Sequence, residues 1–458
     1  MIANNKIKHF GNSILIIPFL IFFIFKNSRK FYFSTSTTIA TSSIQKLLII
    51  ILTMIIGLLF LNNFYKFVQL RCYANTRIKI NAHILPLTVF ILLVFLPNLI
   101  SQFGINFFIK NIYNLFRVSL IFPPFADLQT IIFGIYCNSV NQLGDLITCD
   151  NRNSQLVAWN YPTILLKLRS TNHIFSNLNF VVPIICALLL INILYLSKSL
   201  NIKQNLVLSL LIFSPPFLLC FNRMNFDLFI VWCLWLGVYF LNSRNNFLNY
   251  SAWILFAIAS ILKFYALIAF IGIYYEKRLK NRLFAIIVFI FSFKLIQIDL
   301  SHLRRVVGKD IYGSIGLPVF SSVLNGKNSA DIDFFSLGFL TLIFFVVTCI
   351  LFLNKKRNFL VTPRKGNILI FIFGSVFLFT WFTASNYYYR MLLLFPIIIE
   401  LLNNQITEFE IKIISSALFS FYLSPKVFGP LQNIFLLPIV IFLGFFLIHQ
   451  IFSNNERT

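Results

Sequence analysis

The chain has 458 residues, of which 59% are apolar and only 11% charged, and its mean hydropathy is +0.84. Soluble domains carry about 25% charged residues, so this composition predicts a many-span membrane protein. It argues against a soluble metabolic enzyme, a nucleotide-binding domain or a DNA-binding domain. Lys and Arg number 38 against 13 Asp and Glu, a net charge of +25. Many of these positive charges sit in short links between apolar runs, where they set orientation and hold anionic headgroups. They carry no implication of a nucleic-acid partner.

In chain order, apolar runs fall near 11–26, 46–64, 85–103, 179–196, 206–221, 225–241, 250–275, 283–299, 335–354, 367–384, 387–402, 411–424 and 431–450. The links 276–282 and 355–365 are rich in Lys and Arg and predict cytoplasmic sides. The block 250–275 holds Lys263 near its middle, which is expensive at a bilayer centre. Two helices turning at Lys263 resolve the sidedness; one long tilted helix with a snorkelling Lys263 is the other reading. The expected fold is all-α and polytopic, with about 12 to 14 helices. An N-terminal hairpin and cytoplasmic link would occupy 1–84, a core 85–402, and a C-terminal hairpin 403–458. The core would carry external loops at 104–178 and 300–334.

Few residues in such a chain can carry chemistry. Asp127, in Phe122-Pro123-Pro124-Phe125-Ala126-Asp127-Leu128, is an isolated carboxylate among apolar neighbours. It reads either as a general base of raised pKa or as the N-cap of an interface helix. Arg223 and Asp227 lie four residues apart at a helix start, either an ion pair or a headgroup clamp. Lys263 and Arg390 fall where positive charge is disfavoured, so each reads as a phosphate ligand or as an interface anchor. Asn160 and Tyr161, in Trp159-Asn160-Tyr161-Pro162, suit a sugar or an interface. Arg304 and Arg305 stand in a polar loop suited to anion or glycan contact. The seven cysteines and five histidines show no CxxC and no metal-ligand spacing.

The ordered series is an early Asp, Trp-Asn-Tyr-Pro, Arg-x-Asn-x-Asp, Leu-Lys-x-Tyr and Asn-Tyr-x-Tyr-Arg. It resembles the polytopic GT-C class glycosyltransferases, and within them family 87, the polyprenyl-phosphomannose-dependent mannosyltransferases. The resemblance spans roughly 85–402. It implies inverting transfer of a hexose such as mannose from a polyprenyl-phosphate donor to a hydroxyl of a lipid-linked or surface glycan. Asp127 would be the base, and Arg223, Lys263 and Arg390 would meet the phosphate. It implies no cofactor and no metal. The expected place is the bacterial inner membrane, multi-pass, both termini cytoplasmic and the site facing outward. Two other readings stay open: an O-antigen-type polymerase, and a lipid or glycan transporter or flippase.

Overall fold

The structure, a computed structural model, describes residues 84–91, 127–128, 131, 178–296, 314–316, 367–383, 386–402, 408–423 and 425–454. The helices are α1 (Ile84–Val89), α2 (Leu178–Ser199), α3 (Ile202–Ile212), α4 (Pro215–Arg223), α5 (Asp227–Leu241) and α6 (Asn246–Leu262). A 3-10 segment, Phe264–Tyr275, precedes α7 (Leu279–Ile296). Further on come α8 (Asn367–Thr383), a second 3-10 segment (Tyr388–Leu393), α9 (Leu394–Leu401), α10 (Glu408–Tyr422) and α11 (Pro425–Asn454). Two short strands, β1 (Ser314–Ile315) and β2 (Asn386–Tyr387), pair antiparallel, Ser314 opposite Tyr387 and Ile315 opposite Asn386.

The expected 12 to 14 membrane-crossing helices require correction. Among the described residues one stretch, Gln432–Ile451 in α11, is long and apolar enough to cross a membrane. The pair α3 and α4, bent by 55°, brings that number to two at most. The GT-C-like architecture, the multi-pass inner-membrane placement and the cytoplasmic termini all rested on the larger count and fall with it. The physical reason is that hydropathy does not separate a span from a buried core helix, and runs of about 10–14 apolar residues fit the latter. The block 225–241 forms a helix of 15 residues with both tryptophans buried. The block 206–221 breaks at Ser214-Pro215-Pro216, because proline is accepted at a helix start but not inside one. The block 387–402 divides into a 3-10 segment and a helix of 8 residues.

These short helices bury one another. α5 packs on α6, α8 on the first 3-10 segment, and α10 on α11. Trp253, Phe256 and Phe270 meet edge-on and stacked, joining α6 to the 3-10 segment that follows it. Each such fully buried side chain contributes about 1.5–3 kcal/mol. Buried polar groups are bonded across elements: Gln204 donates to the carbonyl of Ile399 at 2.9 Å, and the Tyr422 hydroxyl to that of Leu210 at 2.6 Å. The N–H of Gly316, just after β1, donates to Asn433 Oδ1 at 3.0 Å and ties the strand pair to α11. The strand pair in turn fixes the start of the second 3-10 segment, which carries Arg390.

Candidate functional site

Four parts of the chain converge on one point. The first is Asp127, at a helical position. The second is the α4–α5 turn. The chain leaves α4 by a Schellman ending, with the Asn225 N–H bonded to the Cys220 carbonyl at 3.0 Å and the Met224 N–H to that of Phe221 at 2.9 Å. Met224 takes the left-handed conformation (φ 47°, ψ 50°) that this ending needs and that glycine usually supplies. Asn225 Oδ1 then accepts the N–H of Asp227 at 2.9 Å and starts α5. The third is Lys263, whose extended backbone (φ −150°, ψ 127°) separates α6 from the 3-10 segment. The fourth is Arg390, just after β2.

Their side chains form one buried network. Arg223 Nε donates to Asp127 Oδ1 at 2.9 Å and to Oδ2 at 3.0 Å, and its Nη2 donates to Oδ1 at 2.5 Å. Asn225 Nδ2 donates to Asp127 Oδ2. Lys263 Nζ donates to Asn225 Oδ1 at 2.8 Å and pairs with Asp227 Oδ1 at 2.7 Å. The Tyr265 hydroxyl donates to Asp227 Oδ1 at 2.6 Å. Arg390 Nε faces Asp227 Oδ2 at 3.7 Å, and its guanidinium carbon lies 5.1 Å from the centre of the Tyr265 ring. Side-chain exposure is 2% for Asp227, 6% for Asp127, 8% for Arg223 and Lys263, and 21% for Arg390. Arg390 is the most exposed of these five side chains.

Burial alone would raise the Asp227 carboxyl. Lys263 and Arg390 beside it, with the bonds from Lys263 and Tyr265, outweigh that and hold it below the usual carboxylate range. Burial, and then the Asp227 charge, push the Tyr265 phenol well up, so it stays a donor. Each hydrogen bond to a charged group here is worth about 1.5–3 kcal/mol.

Of the residues singled out in the sequence, Asp127, Arg223, Asp227, Lys263 and Arg390 come together. The chain breaks at Lys263 between two helical segments, and the lysine is buried against Asp227. Asn160, Tyr161, Arg304 and Arg305 lie outside the described residues. Two members of the network, Asn225 and Tyr265, are not among the candidate residues of the sequence. Their signal was present in the Arg-x-Asn-x-Asp and Lys-x-Tyr spacings.

Chemically, three cations backed by two carboxylates suit an anion such as a phosphate, which guanidinium groups bind in a directed way and ammonium as a point charge. Among the described residues no three His, Cys, Asp or Glu side chains gather as a metal site would need. Comparison with family models, curated proteins and solved structures finds no match.

Proposed function

We propose that this cluster is the reaction centre of an inverting sugar transfer. A hexose such as mannose passes from a polyprenyl-phosphate donor to a hydroxyl of a lipid-linked or surface glycan. The observation that supports this reading is the meeting of Arg223, Lys263 and Arg390 with Asp127 and Asp227 in one network, from segments far apart in the chain. Glycosyl transfer from a phosphate needs two things: positive groups where charge develops on the leaving phosphate, and a carboxylate to take the hydroxyl proton. Both classes of group stand here within hydrogen-bond or ion-pair range of one another. Arg390, the most exposed, meets the phosphate, and Lys263 lies behind it beside Asp227.

The test is sugar transfer by the purified full-length chain. Radiolabelled polyprenyl-phosphate sugars are supplied with host lipid and glycan fractions, and wild type is compared with Arg390→Gln. Transfer by wild type that falls at least tenfold in R390Q is expected. Transfer unaffected by the substitution would remove the cluster from the reaction.

A further inference from the structure

The two carboxylates of the cluster are not equivalent. Both Asp127 oxygens are engaged: Oδ1 accepts from Arg223 Nε and Nη2, and Oδ2 from Arg223 Nε and Asn225 Nδ2. On Asp227, among the described residues, only Oδ1 is engaged in this way, by Lys263 and Tyr265. Asp227 Oδ2 is buried and makes no hydrogen bond among the described residues, and the same holds for Arg390 Nε. The two atoms face each other at 3.7 Å, within ion-pair range but beyond a hydrogen bond. Arg390 is therefore the loosest and most exposed member of the network. Asp227 Oδ2 is the carboxylate oxygen with capacity to spare.

We propose that Arg390 is an exchangeable partner of Asp227: a bound phosphate draws Arg390 to itself and leaves Asp227 Oδ2 as the proton acceptor, while Asp127 is a positioning residue. This rests on the sugar-transfer reading and assigns its base. The acceptor hydroxyl oxygen forms its bond to the anomeric carbon and gives its proton to Asp227 Oδ2. The bond from the anomeric carbon to the phosphate oxygen breaks, and its electron pair stays on that oxygen, where Arg390 meets the charge. Lys263 and Tyr265 occupy Oδ1, so the proton is directed to Oδ2. Among the described residues, the titratable groups facing Asp227 are Lys263, Tyr265, Arg390 and the Cys220 thiol. Of these, Arg390 is the one whose side chain is open enough to move. Asp127 acts through Arg223 and Asn225: it holds Asn225, whose Oδ1 carries both Lys263 and the start of α5.

Two measurements test this. The first is infrared titration of the Asp227 carboxyl in the full-length chain labelled with carbon-13 in its aspartate carboxyls, with and without inorganic phosphate. Asp227→Asn identifies the band. Phosphate is expected to raise the protonation midpoint by at least one pH unit in wild type. In R390Q the midpoint is expected to be raised already and to ignore phosphate. A wild-type midpoint that does not respond, or an equal response in R390Q, would overturn the exchange.

The second is the pH profile of kcat/KM for sugar transfer. D227N is expected to lose about 10²–10⁴-fold together with the acid limb of the profile. D127N is expected to lose rate but keep that limb, and Asp227→Glu to recover part of the lost rate. An acid limb that survives in D227N and vanishes in D127N would make Asp127 the base and overturn the assignment. A wild type that transfers no sugar would instead count against the sugar-transfer reading, and the infrared titration would still decide the exchange.

Discussion

Arg223 grips Asp127 with three hydrogen bonds of 2.5 to 3.0 Å, across 96 residues of sequence, in a site where both side chains are under one-tenth exposed. Such a pair contributes little over an apolar replacement, but losing one partner strands a buried charge.

Asp127→Asn and Arg223→Gln are therefore each expected to destabilise the chain by about 3–5 kcal/mol. The double variant should cost clearly less than the two together, since it strands nothing. Chemical denaturation of the four proteins reads this directly, and simple additivity would show that the two side chains do not depend on each other.

Acid should weaken the fold through Asp227. Its carboxyl is held low in the folded chain, because Lys263, Arg390 and Tyr265 outweigh the cost of burial. An unfolded aspartate titrates near about 3.9. The stabilisation is thus fully present above about pH 4 and is lost as pH falls through the lower folded value. Unfolding free energies of wild type and D227N should converge as pH drops below about 4. A gap that widens toward acid would reverse the sign.

How much was readable beforehand depended on polarity. In so apolar a chain each charged side chain has few places to go, so Asp127, Arg223, Asp227, Lys263 and Arg390 stood out, and the chain does break at Lys263. The apolar blocks were harder, because a buried core helix and a membrane span share one hydropathy. What separates them is where the helix breaks and what covers it, as at Ser214-Pro215-Pro216. The left-handed turn at Met224 carried no signal, since its usual mark is a glycine.

That turn makes an unusual prediction. Met224 is buried, so Met224→Ala should cost about 2–5 kcal/mol. Met224→Gly removes the same side chain but relieves a left-handed strain of about 1–2 kcal/mol. The glycine variant should therefore be the more stable of the two, opposite to the usual order within a helix. A less stable glycine variant would mean that the turn opens when the side chain is lost.

Close packing of α5 on α6 depends on Gly237. A Cβ there would overlap the ring of Phe256, which is fully buried and has little room to shift. Gly237→Ala should cost about 1–3 kcal/mol by overpacking, and Gly237→Ala with Phe256→Leu should recover part of it. Thermal unfolding of the two variants checks both statements.

The most direct test of the cluster as a phosphate-handling centre is binding of radiolabelled polyprenyl phosphate to the full-length chain. Wild type is compared with R390Q and with Lys280→Gln, a change at an exposed lysine in the first turn of α7. One lost charged hydrogen bond, about 1.5–3 kcal/mol, corresponds to roughly 10- to 100-fold weaker binding. That loss is expected for R390Q, with K280Q within about twofold of wild type. Equal binding by R390Q and wild type, or equal weakening by both substitutions, would contradict it.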